Sequence, residues 1–224
     1  MPQMSETISW PVEFARVIAC TRCSSDADGK LLRDKYENVP QPGYIGSRYW
    51  SHRVLLVGQN PGTPNRLETE DKPYTQALRN LREIPSEVAY ANLMSVLEKF
   101  IPRWPVHGNY FPLLEAELAL EDIAYFNVVR CRTSDNARPG ARVVATCLDA
   151  HFGRWLDHLS PSVVVFIGKW AADRASAQVR KRGIPFAFMN RQRSLVTFDR
   201  LENRKAVVQI VQANAAQPAV RAQA

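Results

Sequence analysis

Short apolar runs alternate with longer amphipathic segments along most of this chain. Four runs are rich in β-branched and aromatic residues and are bounded by turn residues, which predicts strands: 53–58 (RVLLVG), 123–129 (IAYFNVV), 162–168 (SVVVFIG) and 185–189 (PFAFM). Apolar residues recur at helical spacing in the segments between and after these runs: 74–81, 86–100, 141–159 and 169–182. This alternation of strands and helices indicates a parallel sheet that helices cover on both faces.

The fold expected from this pattern is α/β: a three-layer α/β/α sandwich with a central, mainly parallel sheet of about four strands. The 224 residues are enough for one such domain and too few for two. We therefore expect one domain over residues 1–211 and a disordered Ala/Gln-rich tail over 212–224. The chain lacks an apolar run of ~20 residues and a signal-like N-terminus. We expect a cytoplasmic monomer with no membrane partner.

Charge is distributed unevenly along the chain. Residues 151–224 contain 12 Lys/Arg and 4 Asp/Glu, whereas residues 1–150 contain 17 and 18, and together they give the net charge of +7. A basic C-terminal part favours a polyanionic partner such as a nucleic acid. A slightly basic, solvated surface explains the same numbers equally well.

Amide side chains follow two of the predicted strands. Gln59 and Asn60 lie in the loop GQNPG directly after the first strand, and Asn127 lies near the end of the second. The loop has no lysine and no charge, which argues against a phosphate-binding loop. Ligands of open parallel sheets bind at the carboxyl ends of the strands, so two amide positions there favour a binding site. A core or loop-capping role is the alternative for each of them.

Four cysteines are arranged as a close pair and two distant residues. Cys20 and Cys23 form a Cys-x2-Cys pair, and Cys131 and Cys147 follow much later. Thiols inside a cell stay reduced, so one four-thiolate metal site is a better interpretation than disulfides. Zinc and an iron–sulfur cluster both suit four thiolates, and unrelated buried cysteines are the remaining alternative.

Together, these motifs resemble those of the iron–sulfur uracil-DNA glycosylases, families 4 and 5 of that superfamily. The similarity runs from about Cys20 to Phe198 and comprises the Cys-x2-Cys pair, the G-x-x-P-G loop after the first strand, the strand FNVVRCRT and the final Cys147. It implies a [4Fe-4S] cluster, with zinc as the alternative, on Cys20, Cys23, Cys131 and Cys147. It also implies a base-excision enzyme whose partner is uracil-containing DNA.

The resemblance assigns roles to four residues of the expected pocket. Asn60 holds the position of the residue that orients the attacking water, and Asn127 that of the asparagine that reads the uracil edge. An amide is both donor and acceptor, so it matches O4 and N3–H of uracil and rejects cytosine. Gln59 is expected to bind the same base, and Tyr74 to stack on it.

Two departures from the family pattern concern base size and the second catalytic motif. The classical uracil enzymes of this superfamily have a bulky tyrosine after the loop proline, and it excludes a 5-methyl group. This chain has Gly62 at that position, so 5-substituted uracils are expected substrates. In MNRQRS, Asn190 aligns with the residue that stabilises the leaving O2, but Arg191 replaces the usual proline. We expect Arg191 and Arg193 to contact DNA phosphate or the leaving anion, with a solvated basic loop as the alternative.

The function expected from these residues is that of a monofunctional glycosylase that flips uracil from DNA and excises it. A lyase is disfavoured because the pocket motifs contain no isolated lysine to form a Schiff base. Two alternatives remain open: an iron–sulfur nucleic-acid-binding protein of the same fold without excision activity, and a glycosylase for hypoxanthine.

Overall fold

The predicted α/β sandwich is present in a computed structural model of the chain. The structure describes residues 8–23, 31–32, 39–62, 72–104, 118–189 and 197–215, with the backbone alone at 197–202 and 204. Its seven strands are β1 Leu31–Leu32, β2 Tyr44–Ile45, β3 Val54–Gly58, β4 Ile123–Asn127, β5 Arg132–Thr133, β6 Val163–Ile167 and β7 Phe186–Met189. Five of them form the central sheet in the order β2-β4-β3-β6-β7, and β1 pairs with β5 in a separate small sheet.

Four strands of the central sheet are parallel, as predicted. Strand β3 pairs with β4 on one side and β6 on the other, and β7 extends the sheet beyond β6. Every residue of β3, β4 and β6 is buried, which explains why these strands appear in the sequence as continuous apolar runs. The antiparallel edge strand β2 was not predicted, because two residues are too few to show a period.

Helices flank this sheet, and all four predicted helical segments are helical. The α-helices of the described residues are α1 Trp10–Ile18, α2 Tyr49–His52, α3 Lys72–Glu83, α4 Glu87–Phe100, α5 Ala141–Cys147, α6 Gly153–Leu159, α7 Lys169–Lys181 and α8 Thr197–Ala215. Ser86 caps α4 by accepting a hydrogen bond from the main-chain N–H of Ala89 at 3.2 Å. Helix α8 includes residues 212–215, the first part of the predicted tail, because Ala and Gln also favour helix; residues 216–224 lie outside the described residues.

An aromatic cluster joins the sheet to the helices that precede and follow it. Phe126 of β4 and Phe14 of α1 both contact Trp155 of α6, with ring centroids 5.5 and 5.0 Å apart. Beside it, the buried Glu13 accepts two hydrogen bonds from Arg154. The Arg154 guanidinium, the largest influence on Glu13, holds the pKa of this carboxyl below its usual value. The N-terminal helix is thereby fixed to α6.

A π-helical turn interrupts the long segment predicted over 141–159. The turn spans Leu148–Phe152 and joins α5 to α6. It follows directly after Cys147 and contains the buried His151. Such turns often occur at functional sites, and a pattern of helical spacing in the sequence does not reveal them. Among the described residues, no helix is both long enough and apolar enough to cross a membrane.

Candidate active site

The two predicted amide sites lie on neighbouring strands at the same edge of the sheet. Gly58, the last residue of β3, is the register partner of Asn127, the last residue of β4. Beyond the strands, the N–H groups of Val128 and Val129 donate to the carbonyls of Gly58 and Gln59 at 2.9 and 3.0 Å. These bonds join the GQNPG loop to the segment after Asn127. The chain order of the sheet also reverses around β3, where open α/β sheets bind their ligands.

Asn127 occupies a buried position that depends on the absence of a side chain at Gly58. A Cβ atom on Gly58 would lie 2.3 Å from Asn127 Oδ1. The Tyr125 hydroxyl donates to the same oxygen at 3.1 Å, and Asn127 is only 7% exposed. A carbonyl oxygen has two lone pairs, so Oδ1 can still accept a second hydrogen bond. Tyr125 had no role in the sequence prediction, although its position two residues before Asn127 puts both on one face of the strand.

Asn60 is held by hydrogen bonds at both ends of its amide. Gln59 Nε2 donates to Asn60 Oδ1 at 3.0 Å. Asn60 Nδ2 donates to Thr133 Oγ1 at 3.0 Å and to the carbonyl of Pro61 at 3.2 Å. Asn60 is partly exposed, whereas Gln59 is buried. The side chain of Gln59 therefore contacts Asn60 directly, and its predicted contact with a base stays a prediction.

Gly62 and Tyr74 lie in very different surroundings. Gly62 is exposed, and among the described residues the nearest atom to a Cβ there would be Asn136 Oδ1, at 3.6 Å. Tyr74, at the start of α3, is 1% exposed, and its ring centroid lies 5.8 Å from that of Trp104. A base could stack on Tyr74 only after this ring is uncovered, so the stacking role stays a prediction. Asn190, Arg191 and Arg193 lie outside the described residues.

Three of the four cysteine thiols are buried close together. Cys147 and Cys23 are joined by a sulfur–sulfur hydrogen bond, and Cys131 is near enough to act on Cys147 electrostatically. The Cys23 hydrogen bond and burial raise the pKa of the Cys147 thiol far above its usual value, while the main-chain N–H of Arg130 acts in the opposite direction. Cys20 is partly exposed at the end of α1. All four are thiols rather than disulfides.

Arg130 provides a test of whether this thiol site suits a negatively charged group. Its guanidinium lies 4.2 Å from the ring centroid of Phe126 and 4.6 Å from that of Trp155, and it is 1% exposed. Nη1 donates to the carbonyl of Pro42 at 2.5 Å, whereas Nη2 has no hydrogen-bond partner among the residues that the structure describes. Burial lowers its pKa to about 9, and the side chain that most opposes this is Cys147.

A buried cation beside thiols fits a cluster whose cysteinate ligands give it a net negative charge. Within the described part of the chain, no carboxylate forms an ion pair with Arg130. His151 is also buried in the π-helical turn, and no described residue forms a hydrogen bond with its Nε2. Burial and the nearby Arg130 lower the pKa of His151 to about 3. Among the described residues, however, no group of three or more His, Cys, Asp or Glu side chains forms a site for a single metal ion. The four-thiolate site stays a prediction.

Comparison with known proteins identifies the superfamily to which the chain belongs. The sequence profile of the Uracil DNA glycosylase superfamily matches residues 48–213, more than half of the chain. The protein therefore belongs to this superfamily, and a glycosylase-like function on DNA follows from that membership. Both strand ends described above lie within the match, whereas Cys20 and Cys23 precede it. Comparison with curated proteins yields no match.

Proposed function

We propose that the chain is a monofunctional DNA glycosylase that flips uracil out of DNA and hydrolyses its N-glycosidic bond. The main support is the register of Gly58 with Asn127, which brings the GQNPG loop and a buried amide to one edge of the sheet. In this superfamily, such an edge would have to recognise a base and direct a water at the sugar. The base must leave the duplex first, because its reacting bond is inaccessible within the stack.

Asn127 is the proposed base reader. Its Nδ2 would donate to O4 of uracil, and Oδ1 would accept from N3–H. In the observed orientation the Tyr125 hydroxyl donates to Oδ1, which leaves one lone pair of that oxygen for the base. Cytosine has a donor amine at C4 and an acceptor at N3. Asn127 Nδ2 would therefore face another donor, and Oδ1 would face another acceptor.

Asn60 is the proposed water-binding residue. Its amide would orient and polarise the water but carries no charge to offset the cationic sugar, so we expect slower excision than with a carboxylate there. Asn190 would stabilise the leaving O2, while Arg191 and Arg193 would contact phosphate or the leaving anion. The lack of a side chain at Gly62, where the described residues leave room for a Cβ atom 3.6 Å from Asn136 Oδ1, supports acceptance of 5-substituted uracils.

Cys20, Cys23, Cys131 and Cys147 are the proposed ligands of a [4Fe-4S] cluster, with zinc as the alternative. Bound there, the group would cross-link the N-terminal segment to the segment after β4. Its role would be structural, and it would take no part in the reaction. Arg130 would balance part of its charge. Since Cys131 lies four residues after Asn127, the cross-link would help to fix the base-reading strand end.

The test is a panel of labelled oligonucleotides, each with one lesion, treated with alkali after incubation to reveal abasic sites. Uracil in single- and double-stranded DNA, hypoxanthine and 5-hydroxymethyluracil would be compared for the parent protein and Asn127→Asp. The aspartate keeps an acceptor and loses the donor, so uracil excision should fall by up to ~10⁴ and weak cytosine excision should appear. Asn80→Asp is the matched control, because Asn80 is exposed on α3.

Each result of the panel has a definite meaning. Uracil excision by the parent and its loss in Asn127→Asp, with Asn80→Asp unchanged, would support the proposal. Excision of hypoxanthine alone would replace uracil with a deaminated purine as the substrate. DNA binding without excision of any lesion would refute the proposal and favour a nucleic-acid-binding protein that has the fold without the activity.

A further inference from the structure

The amide of Asn60 has two chemically different ends, and the direction in which it points decides what it offers to a water. Its oxygen would accept a hydrogen bond from the water and so increase the nucleophilicity of the water oxygen. Its nitrogen would donate to the water oxygen and do the opposite. The two ends have nearly the same shape, so packing alone does not distinguish them. Hydrogen-bond partners of fixed polarity must do so.

Thr133 is such a partner. Its hydroxyl donates to the carbonyl of Ala137 at 2.7 Å, and a threonine hydroxyl has only one proton to donate. Toward Asn60 it therefore presents a lone pair, which can accept only from an N–H group. The observed contact, Asn60 Nδ2 to Thr133 Oγ1 at 3.0 Å, has this polarity. From the other side, Gln59 Nε2 contacts the oxygen end at 3.0 Å.

The surroundings of Thr133 keep the hydroxyl in this state. Thr133 is 0% exposed, so water does not compete for its proton. It is the last residue of β5 and pairs with Leu31 of β1. The following turn places Asp135 and Asn136 in the left-handed region, each with φ of 52°, and returns the chain so that Ala137 N–H bonds to Ser134 O at 2.9 Å. Two consecutive left-handed residues other than glycine are uncommon and indicate a turn held by its contacts.

We propose that Thr133 is a positioning residue for the reaction. Its hydroxyl, fixed by the Ala137 carbonyl, holds Asn60 with the nitrogen inward and so directs the amide oxygen toward the attacking water. Gln59 supports that oxygen from the opposite side. The inference rests on the proposed function, since it concerns the residue that is proposed to bind the water. No family motif quoted above includes this role for the threonine of FNVVRCRT.

The kinetic test compares Thr133→Val, Thr133→Ser and Thr146→Val. Valine keeps the shape and suits a strand, but it neither donates nor accepts. In Thr133→Val, Asn60 Nδ2 therefore loses its buried partner and retains the longer contact to the carbonyl of Pro61 at 3.2 Å, so the orientation of the amide is less firmly fixed. Single-turnover uracil excision by Thr133→Val should fall on the order of tenfold to 100-fold with little change in DNA affinity, because the altered contact acts in the transition state. Thr133→Ser should recover most of the rate. Thr146 is the matched control, because its exposed hydroxyl donates to the carbonyl of Arg142 at 2.9 Å.

A second measurement reports on the amide without relying on activity. In ¹⁵N-labelled protein, the side-chain signals of Asn60 can be assigned by their loss in Asn60→Ala. In the parent, their exchange with solvent should be slower than that of the exposed Asn80, and in Thr133→Val it should accelerate on the order of tenfold. Unchanged exchange in Thr133→Val would overturn the inference even if the parent excises no base.

The two measurements separate failure of this inference from failure of the proposed function. Parent-like excision by Thr133→Val would refute the positioning role and leave the glycosylase proposal intact. Equal losses of rate, DNA affinity and melting temperature, without recovery in Thr133→Ser, would mean that Thr133 only stabilises the fold, which also overturns the inference. An inactive parent would refute the proposed function, and the amide exchange would still decide how Asn60 is held.

Discussion

Gly58 leaves no room for a side chain, so adding one methyl group there should displace the amide of Asn127. The new Cβ would lie 2.3 Å from Asn127 Oδ1 and 3.1 Å from the Tyr125 hydroxyl, whereas ordinary contacts begin at 3.4 Å. Relief of the closer contact requires a shift of about 1 Å, and a misplacement of ~1 Å can cost on the order of 10² in rate. We therefore expect Gly58→Ala to reduce single-turnover uracil excision on the order of 100-fold.

The assay must separate this local shift from general damage to the fold. Gly58 lies in the extended backbone of β3, where alanine is allowed, so the main chain itself is not strained. Overpacking should cost about 1–3 kcal/mol of unfolding free energy, which denaturant titration would measure. Ser51→Thr is the matched control, because it also adds one methyl group, at an exposed position of α2, and it should excise like the parent.

Two results would refute this reasoning. If Gly58→Ala excises uracil at the parent rate, Asn127 does not read the base from the observed position. If Ser51→Thr loses as much activity as Gly58→Ala, the effect arises from general damage to the fold and not from the contact with Asn127. Retention of DNA affinity in Gly58→Ala, measured by fluorescence anisotropy, would further localise the defect to the pocket.

Three further predictions concern substrate size, pH and the thiol site. Gly62→Tyr should suppress excision of 5-substituted uracils more than of uracil; equal effects on both in a competition assay would contradict a gate at this position. Glu13→Gln should lower the melting temperature at pH 7 by about 2–5 °C, since it removes charge-assisted bonds to Arg154. The pKa of Glu13 is lowered in the fold, so the difference in melting temperature between parent and Glu13→Gln should be present above pH 4.5, the ordinary pKa of Glu13, and shrink as pH falls through the lowered pKa. A difference that persists at pH 2 would contradict the ion pair as its cause. Protein isolated without oxygen should be brown, absorb near ~400 nm and contain about four irons per chain. Arg130→Met should retain about half or less of that iron, while the exposed Arg142→Met retains it all. One zinc in a colourless protein would refute the cluster.

The apolar pattern was sufficient to predict the sheet, and the reason is physical. Strands buried on both faces must be apolar throughout, so β3, β4 and β6 stand out from the amphipathic helices between them. The carboxyl ends of parallel strands share one edge, which is why Asn60 and Asn127 could be expected to lie close together. The edge strand β2 lacked such a signal because only two residues form it.

The supporting residues of the site were not predictable in the same way. Thr133 contacts Asn60 across 73 positions of sequence, and no local period reports such a contact. Arginine is a residue type that is mostly exposed, and the burial of Arg130 depends on Phe126 and Trp155 from different elements. Tyr125 is the exception, since the two-residue period of a strand puts it on the same face as Asn127.

One short segment connects the features that the proposed function requires. Within the seven residues from Asn127 to Thr133, the chain supplies the buried amide at its start, the stacked Arg130 and the thiol of Cys131 in its middle, and the hydroxyl that holds Asn60 at its end. Main-chain bonds join this segment to the GQNPG loop on one side and, through the Arg130 carbonyl and the N–H of Gln41 at 2.8 Å, to the chain before β2 on the other. Because both amides depend on this one segment, whatever fixes its middle also fixes the distance between the proposed base reader and the proposed water site. A cross-link through Cys131 would therefore contribute to the geometry of catalysis without touching the substrate.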